Sequence, residues 1–252
     1  MKALVTGASS GIGLEISKYL DSLGYEVILV ARDKEKLEDV AKCLKNKSKI
    51  IVMDLQQVED IKSLYVLVKN DDIDVLVNNA GFGICGSFSE MDLNNELNMI
   101  DINIKAVHIL TKLFLKDMKR KNKGYILNVS SSAAFQSGPL MATYYATKSY
   151  VYRLTEAIWF ELKKEKSNVN ISCLCPGPVD TNFNKVANVK FSVKSLRADY
   201  VARYAVNQML NKKLLIIPGF KMKFVKFLDR FLSDKFLMNI IYHIQKKKLK
   251  WL

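Results

Sequence analysis

Tyr144 and Lys148 stand four residues apart, so on a helix they share one face. A phenol with an ordinary pKa of about 10 is a poor proton shuttle at neutral pH. An ammonium beside it favours the phenolate and lowers that pKa toward the working range, which would make the pair a general acid/base. Taken alone, the spacing is common, and a solvated helix face accounts for it better. Thirteen residues before Tyr144, directly after a predicted strand, comes Ser130-Ser131-Ser132. In an open α/β sheet, ligands bind at the carboxyl ends of strands, and these serines fall at such an end.

A second constellation sits near the start of the chain. Thr6-Gly7-Ala8-Ser9-Ser10-Gly11-Ile12-Gly13 separates a first strand from a first helix. Gly7 permits a tight turn, Gly11 lets the backbone approach a pyrophosphate, and Gly13 allows close packing of helix on strand. The free N–H groups and the dipole of the following helix then favour an anion. A glycine triplet by itself is weak evidence, but here strand, glycines and helix come in the required order. The second strand ends in Ala31-Arg32-Asp33, where a dinucleotide's adenosine ribose would lie. An acid there binds a free 2′-hydroxyl, whereas a base pairs with a 2′-phosphate. With no acid at Ala31 and an Arg directly after it, NADP(H) is expected; the other reading is a solvated Arg32 paired with Asp33.

The elements that must position these residues alternate about every 25 residues. Apolar runs at 3–6, 25–31, 49–53, 74–77, 125–129, 169–175 and 214–217 read as strands. Between them, helical patterns span 12–23, 34–45, 58–69, 93–121, 143–164 and 197–210. That alternation predicts an α/β fold: a single doubly wound parallel sheet of the Rossmann type, with helices on both faces and a C-terminal helical extension. Residues 1–218 would form the domain and 219–252 a basic amphipathic extension.

Composition narrows the function classes. The 252 residues are 49% apolar and 25% charged, which excludes a disordered chain and a disulfide-stapled scaffold. Cys43, Cys85, Cys173 and Cys175 lack C-x-x-C pairing, so no metal site is expected. Cys173 and Cys175 should share a strand face as buried thiols. Of the 39 basic residues behind the net charge of +14, 33 are Lys and 6 Arg, a mix that argues against a sequence-specific nucleic-acid binder. Residues 219–252 alone hold nine basic and two acidic residues, a net +7. No run of 18 uncharged apolar residues occurs, so a spanning helix is not expected. Nothing like a signal peptide precedes Met1-Lys2-Ala3, and a reducing, cytoplasmic setting is the expectation.

From Ala3 to about Pro218 the chain resembles the short-chain dehydrogenase/reductase family. The motifs occur in order: the Thr6–Gly13 turn, Asp54, Asn78-Asn79-Ala80-Gly81, Asn103, Asn128-Val129-Ser130-Ser131, Tyr144-x-x-x-Lys148 and Pro176-Gly177-Pro178-Val179-Asp180-Thr181. The resemblance implies that Tyr144 is the general acid/base, Ser131 orients the carbonyl oxygen, and Lys148 holds the nicotinamide ribose and depresses the Tyr144 pKa. It implies that Asn103 keeps a water in line with Lys148 as a proton relay. Cofactor contacts are implied for Gly7, Ser9, Ser10, Gly11, Ile12, Gly13, Arg32, Asp54 (at the adenine ring), Leu55, Asn78, Asn79, Ala80, Gly81, Tyr144 and Lys148. Pro176, Gly177, Val179 and Thr181 would cover the nicotinamide. The implied substrate is an apolar ketone or secondary alcohol, as in hydroxysteroid dehydrogenases and 3-oxoacyl reductases, and a homodimer or homotetramer is expected. A non-catalytic NADP-binding sensor or scaffold is the competing class, against which the complete tetrad argues.

Substrate choice is expected from residues 82–88, 133–141 and 182–196, with Phe135, Leu140, Met141 and Phe183 as apolar candidates. In the tail, Phe224, Phe227, Leu228, Phe231, Leu232, Ile240, Ile241 and Ile244 recur at helical spacing among lysines. Such a helix either packs its apolar face over the cleft or on a partner subunit, the preferred reading, or lies peripherally on an anionic membrane.

Overall fold

The computed structural model describes residues 1–181, 195–228 and 231–249. Phe183 and most of the 182–196 loop, named above, lie outside the described residues.

Strands β1 (Lys2–Thr6), β2 (Glu26–Ala31), β3 (Ser48–Val52), β4 (Val75–Asn78), β5 (Tyr125–Val129), β6 (Asn170–Leu174) and β9 (Leu215–Ile216) form one sheet in the order β3-β2-β1-β4-β5-β6-β9. Every pairing in it is parallel. A separate two-stranded piece pairs β7 (Val179–Asp180) with β8 (Leu196–Arg197).

Strand alternation divides the apolar side chains between two layers. Ala3 and Val5 of β1 face one core, built with Ile16 and Leu20 of α1 (Gly11–Ser22), Leu37 of α2 (Lys34–Lys42) and Val206 of α7 (Ala198–Leu210). Leu4 faces the opposite core, with Leu64 of α3 (Val58–Val68), Phe114 of α5 (Val107–Lys121) and Leu162 of α6 (Ala142–Lys164). Helices therefore cover both faces, as the sequence predicts.

The order reverses between β1 and β4, which opens a crevice at their carboxyl ends. Hydrogen bonds fix its floor. Thr6 Oγ1 donates to the Val77 carbonyl and accepts from the Asn79 and Ala80 amides, while Asn79 Nδ2 donates to the Thr6 carbonyl.

Two elements differ from the pattern reading. The helix expected over 93–121 is α4 (Leu93–Ile100) and α5 joined by a π-helical stretch, Asp101–Ala106, with Asn103 inside it. Apolar periodicity is blind to one wide turn, and such turns are frequent at functional sites. The tail is two helices, α8 (Phe220–Leu228) and α9 (Asp234–Leu249), not one. Cys173 and Cys175 share a strand face as expected: both are fully buried, with sulfurs 3.7 Å apart. Burial pushes the Cys173 thiol well up, as suits an inert thiol.

Candidate active site

A single cavity of about 1340 Å³ runs along the carboxyl ends of the strands and gathers nearly all the expected residues. At one end Gly7, Ser9, Ser10, Gly11 and Ile12 line it. Ser10, the residue before α1, makes no side-chain cap, so the helix N-terminus faces the cavity without an internal acceptor. Gly13 lies behind this surface: a Cβ there would stand 2.3 Å from the Gly7 carbonyl, and only glycine lets α1 seat against the turn.

Arg32 lines the cavity with a largely exposed side chain. Its nearest carboxylate is Asp54, at 3.9 Å, and not Asp33. Asp33 instead caps α2 by accepting from the Lys36 amide and pairs with the Lys36 ammonium, which holds its carboxyl below the usual range. Lys36 also lines the cavity, a second cation at this end that the strand-end motif did not reveal. Asp54 does not line the cavity; it accepts from the Gln56 amide, and its neighbours Met53, Leu55 and Gln56 form the wall.

Asn79, Ala80 and Gly81 line the middle, and Pro176, Gly177, Val179 and Thr181 the opposite wall. Asn78, expected among them, is buried at the end of the central strand β4, where its Nδ2 donates to Thr111 and Asn128. Its side chain follows strand alternation into the helix layer, so it braces β4 and β5 and does not line the cavity.

Ser131, Tyr144 and Lys148 come together at the far end. The hydroxyls of Tyr144 and Ser131 are hydrogen-bonded to each other. Geometry separates the near-duplicates. Ser130 is buried and donates to the Lys148 carbonyl at 2.7 Å, tying β5 to α6. Ser132 donates its amide to the Pro176 carbonyl. Tyr145 accepts from Gln245 Nε2 at 3.0 Å and faces the tail.

Lys148 donates from Nζ to the Val129 carbonyl at 3.2 Å and stands 5.8 Å from the Tyr144 ring centre. Burial pushes its pKa down to about 8. Burial also pushes Tyr144 up to about 12, only partly offset by the Ser131 hydrogen bond. The sequence reading expected the ammonium to lower the phenol, and the structure reverses that sign. Desolvation of a phenolate outweighs a cation this far away. At neutral pH the buried Tyr144 hydroxyl therefore keeps its proton.

Asn103 is fully buried and does not line the cavity. Its Nδ2 donates to the Phe82 carbonyl and to Thr147 Oγ1, and its Oδ1 accepts from the Phe82 amide. Both N–H groups are thus engaged in holding the 81–82 turn against α6. A Cβ on Gly81 would lie 2.6 Å from Asn103 Oδ1 and 3.4 Å from Lys148 Nζ, so glycine permits this close approach.

On the substrate side Phe82, Ala133, Gln136 and Met141 line the cavity. Phe135 packs edge-on against Tyr152, and Leu140 directs its carbonyl to the Gly86 amide; neither reaches the cavity wall. The tail completes the wall with Met222, Val225, Ile241, Ile244 and Gln245. Sequence reasoning missed Met222, Val225 and Gln245, the last because one polar residue in a lysine-rich helix carries no signal.

A profile of the short chain dehydrogenase family matches residues 1–190. An uncharacterized oxidoreductase of Staphylococcus saprophyticus is 34% identical over 185 residues, covering 71% of this chain and 78% of the relative. A short-chain dehydrogenase from Sphingobium yanoikuyae, in complex with NADPH, superposes with a TM-score of 0.82 at 25% identity over 87% of this chain and 88% of its own. A Burkholderia phymatum short chain dehydrogenase/reductase, in complex with NAD, gives 0.82 at 23% identity over 90% and 92%. The chain is an oxidoreductase of the short-chain dehydrogenase family.

Proposed function

We propose that the chain interconverts an apolar ketone and a secondary alcohol with NADP(H), Tyr144 acting as general acid and base. One observation carries this reading: Ser131, Tyr144 and Lys148 meet at one end of a cavity whose other end is the glycine turn. The residues present fit a dinucleotide. The uncapped start of α1 would take the pyrophosphate, Asn79 to Gly81 would flank it, and Lys148 would reach the ribose hydroxyls. The bound cofactor supplies or accepts the hydride. Ser131 would hold the carbonyl oxygen by hydrogen bonding, and Tyr144 would deliver the proton to that oxygen. In the oxidative direction the same phenol oxygen takes the proton back. Asn103 acts as a positioning residue, keeping Gly81 beside Lys148.

The Sphingobium relative carries NADPH and the Burkholderia one NAD, so the choice falls to this chain's own residues at the ribose end. Arg32 and Lys36 there favour a 2′-phosphate. A charge-assisted contact contributes roughly 1.5–3 kcal/mol, or roughly ten- to a hundredfold in affinity. Arg32→Ala should lose most of the preference for NADPH over NADH, read by fluorescence titration of both. Equal affinity of the parent protein for the two cofactors would sink the assignment.

The apolar wall formed by Phe82, Met141, Met222, Val225 and Ile241 suits a ketone flanked by large hydrocarbon groups, such as a steroid or a 3-oxoacyl chain. Following NADPH oxidation across steroids, 3-oxoacyl thioesters and bulky ketones tests the whole reading. Turnover of a panel member is the expected result. Tight NADPH binding with no turnover anywhere would point to a binding-only scaffold instead.

A further inference from the structure

The two tail helices each put one apolar face on the cavity, through Met222 and Val225 of α8 and Ile241 and Ile244 of α9. They leave a second apolar face in water. Phe220, Phe224 and Phe227 recur at i, i+4 and i+7 of α8 and are 81%, 52% and 57% exposed. Phe231, its ring 5.2 Å from that of Phe227, is exposed too, as are Phe236 and Ile240 of α9. Packing over the cleft therefore accounts for only part of the tail's apolar surface. So many neighbouring aromatics in water mark an interaction site.

The charge around them identifies the partner. Between residues 220 and 249 the only acids are Asp229 and Asp234, against eight basic residues. Lys221, Lys235 and Lys247 have no carboxylate partner among the described residues. Two copies meeting through this face would set one basic patch against another, because a two-fold interface juxtaposes the same surface. An anionic lipid surface instead neutralises the lysines while its acyl region accepts the phenylalanines.

We propose that the outer face of α8 and α9 docks on an anionic bilayer, bringing the cleft that the same helices roof up to the lipid. Resting on the ketone-reductase reading, the consequence is that the substrate is a membrane-partitioned carbonyl compound reaching the cleft from the bilayer. No described helix is long and apolar enough to cross a membrane, so the attachment is peripheral.

The test uses the full chain and phosphatidylcholine vesicles with or without about 30 mol% phosphatidylglycerol, read by co-sedimentation and without turnover. Binding should be at least about tenfold stronger to the anionic vesicles and fall steeply in about 0.5 M NaCl. Removing the tail would uncover the cleft, so the informative variant is the triple Phe220→Ser, Phe224→Ser, Phe227→Ser, which touches only the outer face. It should lose vesicle binding by about tenfold or more while keeping the parent's thermal midpoint and NADPH affinity. Absence of parent binding to anionic vesicles at low salt would overturn the proposal. So would a parent dimer that the triple variant converts to monomer, which would assign the face to a second copy. Because neither readout involves the reaction, failure here is distinct from failure of the ketone-reductase reading.

Discussion

Tyr144→Phe loses turnover by roughly a hundred- to ten-thousandfold while NADPH affinity stays within about twofold of the parent. The substitution removes one oxygen and little else. The ring keeps its burial and its edge contact with Tyr145, whose centre lies 6.2 Å away. What disappears is the proton donor and its hydrogen bond to Ser131. The loss should appear in kcat, because the donated proton matters only as charge develops on the carbonyl oxygen. Tyr145→Phe removes a hydroxyl bonded to Gln245 and should leave kcat within a few-fold. If the two variants behaved alike, the separation of their roles by geometry would be wrong.

Lys148→Met should make the protein more stable at pH 7 and nearly inactive. Burial lowers the Lys148 pKa from 10.5 to about 8, a differential cost of roughly 3 kcal/mol to the native state. Methionine fills similar space without a charge, although the Val129 carbonyl loses its donor, at about 1 kcal/mol. The net gain is on the order of 2 kcal/mol, measurable by denaturant unfolding. The sign reverses along the pH axis. Below about pH 8 both folded and unfolded states hold the proton, and the full penalty applies. Between about 8 and 10.5 the native protein releases it while the unfolded chain keeps it, so parent stability gains on the variant as pH rises. Above 10.5 the penalty is gone. A variant less stable than the parent at pH 7, or a stability difference flat across that window, would show that Lys148 is not held against its charge. Such a destabilising group at a reactive end is the usual exchange of stability for function.

The sheet was legible because each strand is an apolar run closed by a turn signal, and parallel order follows from the helices between. Tyr144, Lys148, Ser131 and the glycine turn were legible because their spacing is local or tied to strand ends. Four features were not. The π turn at Asn103 leaves no mark on apolar periodicity. The sign of the Tyr144 shift depends on how much solvent the fold removes, which no spacing records. Arg32 meets Asp54 and not its sequence neighbour, because Asp33 is taken by the start of α2. The tail's two separate apolar faces, one on the cleft and one in water, emerge only once its helices are placed.

Deuteride transfer from NADPH labelled at C4 of the nicotinamide tests the central claim most directly. Product formed from a ketone of the panel should carry deuterium on its carbinol carbon when the parent is used, with none formed by Tyr144→Phe on the same timescale. Binding of labelled NADPH with no deuterium reaching any ketone, or alcohol formed without the label from both transferable C4 positions, would contradict the account.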